Sequence, residues 1–465
     1  RCALLIANFC ALLIADYSNP PFIGKHYQSK QQREDLSFVF SDLKSSSDLD
    51  YVTAWYKIAA DYITINKGTD VAFVSTNSIT QGEQVPVLWN YLFQKYRLKI
   101  FFAHRTFKWG NEARGNAHVH VVIIGFSISN KEEKLLFEYE SFTSDPTVIK
   151  CKNISPYLTP ASDIVISKRG KPLFALPIMR CGNKPSDGGH LILDEIEKNE
   201  LLAKYPSSSK FVKTFLGSEE FINNKVRYCL WLKDANPSEM KLIEPIMSRV
   251  QKVKEFRLKS TAEPTKKAAS YPSLFFFISQ PDTNYIAIPE VSSERRQYIP
   301  IGFLNKEIIA SNKIYIIETS SMYLFGVLAS SMHMSWTRLV AGRLESRYQY
   351  SGSMVYNNFP WAENPGEKQK EAVEKAAQAV LDARAQFSNA SLADLYDPNT
   401  MPAALVKAHQ ALDRAVDLCY RPQPFPSETK RIEFLFELYD KYTSGMFQQI
   451  KKAKNKKVIK ASTGE

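Results

Sequence analysis

Cysteine is scarce in this 465-residue chain, and its six copies are scattered along the sequence. No two of them form a Cys-x-x-Cys pair, so neither a zinc site nor a framework of disulfides is indicated. Such spacing is typical of reduced thiols in a cytoplasmic protein. His118 and His120 would share one face of a strand, but no third ligand is near, and catalytic metal sites usually have three protein ligands. We therefore predict no metal site.

Long apolar runs and an excess of acidic residues are also missing. No run reaches the roughly 18 residues expected of a membrane span, so we predict no membrane partner. The formal net charge is +12, which favours a polyanionic partner. Hydrophobic residues make up 44% and charged residues 23% of the chain, as in globular proteins. The length corresponds to about three domains.

A polar turn near the N-terminus is the most informative stretch. It follows the apolar residues 11–15, which are typical of a buried parallel strand, and its sequence is Asn19-Pro20-Pro21-Phe22. Ligands of open α/β sheets bind at the carboxyl ends of the strands, so the turn is predicted to lie at that edge. Each proline fixes its own φ and has no amide donor. The turn is therefore stiff and presents two acceptors, the Asn19 side-chain oxygen and the Pro20 carbonyl.

Two fixed acceptors beside an aromatic ring suit a planar group that carries an NH2. If both amino hydrogens of adenine N6 are held, the nitrogen lone pair is drawn away from the ring and can point at an electrophilic methyl group. Phe22 would stack on the base. In these residues the turn resembles the Asn-Pro-Pro-aromatic signature of the N6-adenine methyltransferases.

Other interpretations of the tetrapeptide stay open. Residues of this kind also cluster in ordinary turns. A methyltransferase that acts on a protein glutamine uses the same turn, because a planar amide also carries an NH2. The long basic segment after residue 127 argues against that substrate, since a protein offers no phosphates to neutralise.

Alternation of helical and strand-like patterns predicts an α/β domain in the first part of the chain. Residues 24–49 are polar and are predicted to be a mobile loop with basic residues in reach of a phosphate. The elements predicted after it are a helix over 50–65, a strand over 71–77, a helix from 81, and paired strands over 98–103 and 117–126.

The alternation of helical and strand-like patterns is lost at about Ser127. Short β-like runs dominate through Trp361, and the basic residues between 249 and 259 are predicted to face one side of a helix. From Glu367 two apolar stripes predict helices, and a third helix is predicted over 428–442. The six lysines within residues 451–460 predict a disordered tail.

Six further stretches, in the same order along the chain, are similar to the MmeI-type restriction-modification enzymes. They are Ile154–Leu158, Gly182–His190, Gly217–Ile222, Val291–Phe303, Met332–Trp336 and Val355–Trp361. That group carries an endonuclease, an N6-adenine methyltransferase and a target-recognition domain in one polypeptide. The resemblance covers nearly the whole chain and implies site-specific methylation of DNA adenine, with double-stranded DNA as the partner.

The resemblance also implies a fold class and a division into domains. The fold would be α/β, with a partial Rossmann-like sheet of an S-adenosylmethionine-dependent methyltransferase, a mixed α+β target-recognition domain and a small C-terminal helical region. The expected bounds are 1–127 for the methyltransferase part, 128–362 for target recognition, 363–446 for the helical region and 447–465 for the basic tail.

The family pattern also indicates what these residues leave out. Its methyltransferases carry a Gly-rich motif for S-adenosylmethionine before the Asn-Pro-Pro turn, and its nuclease lies further upstream. Both segments are expected in the parent protein, and the cofactor pocket is expected to be incomplete here. The alternative hypothesis is therefore a DNA-recognition module that turns nothing over in this form.

Residue roles carry over from the family position by position. Asn19 and Pro20 would grip the target amine, while Phe22 and Phe107 would form two walls for an extruded adenine.

A second set of residues would contact DNA outside the flipped base. In this family a pair spaced like Glu345 and Arg347 varies together with the recognised base. Arginine can donate two hydrogen bonds to guanine and glutamate can accept one from cytosine, so we predict that the pair selects a C·G base pair. The remaining predicted DNA contacts are Arg295, Arg296 and Arg343.

Overall fold

The chain forms a mixed α/β structure with several small sheets. The computed structural model describes residues 19–109, 119–139 and 144–444. The strand predicted over residues 11–15, His118 and the lysine-rich segment 451–460 lie outside the described residues. Of the helices that are described, none is long and apolar enough to cross a lipid bilayer.

The elements of the described residues are numbered in chain order. The helices are α1 Lys30–Val39, α2 Thr53–Ile65, α3 Gln84–Tyr96, α4 Glu195–Lys204, α5 Ser218–Asn223, α6 Pro237–Lys241, α7 Glu244–Leu258, α8 Glu263–Lys267, α9 Met322–Leu328, α10 Ser331–Val340, α11 Glu367–Ala385, α12 Leu392–Leu395, α13 Ala403–Tyr420 and α14 428–444. The strands are β1 Val71–Thr76, β2 Lys99–Trp109, β3 Val119–Ser127, β4 Lys134–Glu138, β5 Thr147–Cys151, β6 Met179–Cys181, β7 Ile192–Leu193, β8 Val212–Leu216, β9 Arg227–Leu230, β10 Tyr285–Pro289, β11 Val291–Ser292, β12 Gly302–Leu304, β13 Ile309–Ala310, β14 Ile314–Ile317, β15 Gly342–Leu344 and β16 Arg347–Gln349.

The first sheet has the strand order β1-β3-β2-β4-β5. Strand β3 lies between β1 and β2 and is antiparallel to both, so β1 and β2 run in the same direction. Tyr56 of α2 joins the helices to this sheet, because its ring contacts Phe73 of β1, Phe126 of β3 and Trp89 of α3. The helices and strands predicted between residues 50 and 126 are confirmed in kind and order.

One segment of this part was predicted wrongly. Residues 24–49 are not a structureless loop, because they contain α1, which begins with a capping box. The Ser29 hydroxyl accepts a hydrogen bond from the Gln32 amide, and the Gln32 side chain accepts one from the Ser29 amide. Leu36 is the one buried residue within the helix. Such a short apolar stripe in a polar segment gives little periodicity, which is why the sequence pattern did not indicate a helix.

The part of the chain after β5 holds three smaller sheets together with helices α4 to α10. Their strand orders are β12-β10-β14-β6, β11-β16-β15 and β13-β8-β9-β7. The prediction that short strands dominate here is incomplete, since helices account for much of residues 195–267. A separate apolar core lies between α7 and the β13-β8-β9-β7 sheet and includes the buried Ile246 and Cys229.

The predicted basic face of α7 forms only in part, because Lys252 and Lys254 are exposed whereas the two arginines are held by other groups. Arg249 pairs with Glu197 at 2.5 Å, and the Arg257 side chain is fully buried. The Arg257 guanidinium donates to five backbone carbonyls, those of Pro185, Ser186, Ala268, Tyr271 and Leu274. Charge spacing alone indicated a solvated stripe, whereas this arginine holds two loops against the helix.

The C-terminal helices α11, α13 and α14 confirm the helical pattern predicted from Glu367, and they share the main apolar core with the first sheet. Gly326 of α9 lets the helices approach closely, since a Cβ there would lie 2.8 Å from the Val373 side chain. Asp413 of α13 accepts a hydrogen bond at 2.7 Å from the amide of Ser331, the first residue of α10. The middle and C-terminal parts are therefore joined by packing and by a helix cap.

Replacing Arg257 with leucine tests its structural role. We expect Arg257→Leu to lower the free energy of unfolding by about 3 to 5 kcal/mol, because several carbonyls lose their donor inside the protein. Urea unfolding followed by tryptophan fluorescence measures the change. Lys254→Leu is the control on the same helix, where the side chain is exposed and the expected change is below about 0.5 kcal/mol. Equal effects of the two substitutions would contradict the assignment.

Candidate functional site

The Asn-Pro-Pro-Phe turn is exposed at its polar end and anchored at its apolar end. Asn19 and Pro21 are exposed, whereas Pro20 is buried. Phe22 is half-buried and packs against the main core. The side chain that could accept a hydrogen bond from a ligand therefore faces solvent on a support that the core holds in place.

Asp50 ties this turn to the end of strand β1. Its Oδ1 accepts from the Lys25 amide at 3.0 Å, and its Oδ2 accepts from the Ser78 hydroxyl at 2.5 Å. Next to it, the Tyr51 amide donates to the Ile23 carbonyl at 2.9 Å. Asp50 is 5% exposed, so these bonds form away from competing water. The segment directly after the turn is consequently held near the carboxyl end of β1, through a residue that the sequence did not indicate.

Phe107 lies level with the same end of β1. Thr76 of β1 and Phe107 of β2 are both paired with Val121 of β3, so the three residues form one row across the sheet. The register of β2 shifts between His104 and Phe107, as in a β-bulge. The Asn77 amide group lies 3.5 Å from the Thr106 hydroxyl, which links the segment after β1 to this part of β2. Phe107 therefore lies near the same end of β1 as the segment that Asp50 holds.

A row of aromatic rings supports Phe107. Its ring stacks on Tyr139 with 5.2 Å between centroids, and the Tyr139 hydroxyl lies 2.8 Å from Nδ1 of His104. His104 in turn stacks on Phe137 at 4.1 Å. Burial lowers the pKa of His104 and raises the pKa of Tyr139, so both groups are neutral near pH 7. The sequence prediction missed this row, although Phe137 in β4 and Tyr139 just after it are two positions apart, which places them on one face of an extended segment.

The residues predicted to select a base lie at the tip of a hairpin. Strands β15 and β16 pair antiparallel, with Glu345 and Ser346 as the two-residue loop between them. Glu345 has φ +58°, which is uncommon for a residue other than glycine. Its carboxylate pairs with Arg347 at 2.8 Å, and the two side chains are 75% and 45% exposed. Both charges are therefore available to a ligand.

The other predicted contacts differ in their surroundings. Arg343 lies over the ring of Tyr348 at 3.9 Å and donates to the Arg338 carbonyl at 3.0 Å. Arg296 is half-buried, and burial lowers the pKa of its guanidinium. Arg295 is exposed and lies 3.6 Å from Asp397. In the part of the chain that is described, no group of three or more His, Cys, Asp or Glu residues could hold a metal ion.

Comparison with known proteins follows this division of the chain. The family models that match are "MmeI, DNA-methyltransferase domain" over residues 15–138, "MmeI, target recognition domain" over 160–363 and "MmeI, C-terminal domain" over 365–447. DNA methyltransferase A of Bacillus subtilis (strain 168) is 43% identical over 429 residues, which are 92% of this chain and 48% of that protein. The structure of the Type IIL restriction-modification enzyme MmeI in complex with DNA is similar with a TM-score of 0.84 and 54% identity, over 92% of this chain and 57% of that one. The chain spans about half the length of these relatives.

The link through Asp50 can be tested directly. We expect Asp50→Ala to lower the free energy of unfolding by about 2 to 4 kcal/mol, because two donors lose a buried acceptor. Hydrogen exchange at the Lys25 amide should accelerate in the same variant. Asp48→Ala is the matched control, since Asp48 only pairs with the Lys25 ammonium at 3.5 Å near the surface. Unchanged exchange at Lys25 in Asp50→Ala would show that another contact holds the turn.

Proposed function

Because this chain belongs to the MmeI family, we propose that it carries the amine-gripping turn and the DNA-recognition surface of a sequence-specific adenine-N6 DNA methyltransferase within a restriction-modification enzyme. The observation that carries the proposal is the exposed Asn19 amide on a turn fixed to the end of β1, level with Phe107. Double-stranded DNA is the proposed partner, in agreement with the net charge of +12.

In the proposed reaction the target adenine leaves the duplex and enters the space beside the turn. Extrusion of a base costs a few kcal/mol, which stacking and hydrogen bonds must repay. Phe22 and Phe107 would stack on the base. The aromatic row behind Phe107 supports this role, because a ring fixed by Tyr139 loses little freedom when a base binds.

Asn19 would act on the exocyclic amine. Its side-chain oxygen and the Pro20 carbonyl would each accept one N6 hydrogen, which draws the nitrogen lone pair out of conjugation with the ring so that it can attack an electrophilic methyl group. The rate enhancement then comes from positioning and from stabilisation of the positive charge that develops on N6.

S-adenosylmethionine is the methyl donor that the family implies, and it would supply the electrophilic methyl group. The buried carboxylate beside the turn is not available to the cofactor, because Asp50 is 5% exposed and its two oxygens hold the Lys25 amide and the Ser78 hydroxyl. We therefore assign no described residue to the cofactor, and the roles proposed here concern the substrate amine and the DNA.

The sheet and the domain bounds belong to the same proposal. We propose that β1, β3 and β2 are the end of a Rossmann-like methyltransferase sheet, because an antiparallel strand lies between two strands that run in one direction. The proposed division is 1–127 for the methyltransferase part, 128–362 for target recognition, 363–446 for the helical region and 447–465 for a basic tail.

Replacing Asn19 tests the proposed chemistry. The test uses the parent protein that carries the S-adenosylmethionine motif, because the cofactor pocket is expected to be incomplete in this chain. With plasmid DNA and S-adenosylmethionine, that protein should produce N6-methyladenine, measured by mass spectrometry of the digested nucleosides. Asn19→Ala should reduce the rate by about 100-fold or more, since an acceptor at the developing charge is lost. DNA affinity should stay unchanged.

Asn90→Ala is the control, because Asn90 is an exposed asparagine on α3 away from the turn. Methylated glutamine without N6-methyladenine would favour a protein substrate instead. If a titration detects no binding of S-adenosylmethionine while DNA still binds, this chain is a recognition module without turnover.

The hairpin tip gives a test of base selection. The double substitution Glu345→Lys with Arg347→Asp exchanges donor and acceptor but keeps opposite charges at the pair that now lies 2.8 Å apart. We expect the preferred base pair at one position to change from C·G to G·C, with a discrimination of about 1 to 3 kcal/mol. A methylation-protection assay on duplexes that differ at that position measures the preference. Arg295→Ala should weaken binding to both duplexes equally, and an unchanged preference in the double variant would refute the assignment.

A further inference from the structure

A short segment after β1 contacts both the amine-gripping turn and the recognition hairpin. This segment, residues 77–83, is called the coupling loop. Ser78 donates to Asp50, which also holds the turn through the Lys25 amide. The indole of Trp89 donates to the Ile79 carbonyl at 2.8 Å, which fixes the loop on α3. One end of the coupling loop is therefore rigidly connected to the turn.

The other end of the coupling loop meets the hairpin backbone to backbone. Gly82 has φ +56°, and a Cβ built on it would lie 2.8 Å from Cα and 3.1 Å from the amide nitrogen of Gly342. Cβ atoms almost never lie 2.8 Å from a backbone atom, so a side chain at this position must change the spacing between the coupling loop and the hairpin. Gly342 is the first residue of β15, and the pair Glu345 and Arg347 follows within the same hairpin.

A side-chain contact reinforces this junction. The Gln81 side-chain oxygen accepts a hydrogen bond from Nε of Arg343 at 3.3 Å. The same guanidinium donates to the Arg338 carbonyl and lies 3.9 Å from the ring centroid of Tyr348, which belongs to the opposite strand of the hairpin. Arg343 thus joins the coupling loop, α10 and both strands of the hairpin.

We propose that the coupling loop sets the spacing between the extruded adenine and the base pair contacted by Glu345 and Arg347. Gln81, Gly82 and Arg343 are then positioning residues for sequence specificity, a role that rests on the proposed function. Successive bases are about 3.4 Å apart along one strand, so a shift of the hairpin by a fraction of that distance moves its two charges off their base edges. Misplacement by about 1 Å is enough to change rates by about 100-fold.

The test uses a set of matched alanine variants. Gly82→Ala adds a methyl group against the hairpin at a positive φ. Gly68→Ala controls for the backbone strain alone, because Gly68 has φ +99° and nothing lies within 4 Å of a Cβ there. Gly342→Ala controls for a methyl group at the junction, since its nearest neighbour would be the Gln349 side chain at 3.9 Å. Gln81→Ala removes the bond to Arg343, whereas Gln81→Glu keeps an acceptor.

Two measurements separate positioning from a general loss of structure. The preferred site is first obtained by selecting random-sequence duplexes on the unmodified protein. Binding to that site is then compared with binding to a duplex in which the C·G pair is replaced by G·C. A third duplex carries 2-aminopurine in place of the target adenine, so that extrusion is followed by fluorescence.

We expect Gly82→Ala and Gln81→Ala to reduce discrimination between the two duplexes by about tenfold or more, the size of one lost base contact. Binding to random DNA and thermal stability should match those of Gly68→Ala, and Gly342→Ala and Gln81→Glu should keep full discrimination. If Gly82→Ala and Gln81→Ala discriminate as well as the unmodified protein, the inference is wrong. If the unmodified protein neither selects a sequence nor extrudes 2-aminopurine, the proposed function itself fails.

Discussion

One buried carboxylate, Asp50, determines where the exposed Asn19 amide stands. Desolvation of a carboxylate costs several kcal/mol, so Asp50 is stable in its position only because an amide and a hydroxyl both donate to it. Those donors come from the segment after the turn and the segment after β1. Apolar packing of Pro20 and Phe22 could hold the turn against the core in several orientations, whereas these directional bonds select one.

A small number of contacts also positions the hairpin relative to the turn. The coupling loop is short, is buried at Ile79 and Thr80, and touches the turn through Ser78 and the hairpin through Gly82. Under the proposed function, the adenine that reacts and the base pair that is recognised are thus positioned from a single rigid segment. Long flexible connections would let the two sites move independently and would weaken the relation between sequence and methylation.

Local patterns in the sequence were sufficient for the strands and helices between residues 50 and 126 and for the C-terminal helices, because apolar periodicity there is strong. They failed for α1, which buries a single residue within the helix. They could not indicate Asp50 or the Gln81–Arg343 bond, since the latter joins residues 262 positions apart. The Asn-Pro-Pro-Phe turn was recognisable because its chemistry lies in four consecutive residues, while its support comes from distant ones.

Charge alone did not distinguish the arginines, but their surroundings do. Arg257 is enclosed by carbonyls and Arg343 is stacked on Tyr348, so neither can leave its place without losing several contacts. Arg347 pairs only across an exposed hairpin tip with Glu345, and such surface pairs are worth about 1 kcal/mol or less. The pair can therefore exchange its mutual bond for base edges at little cost. The positive φ of Glu345 stores about 1 to 2 kcal/mol of strain, which is in keeping with a functional loop.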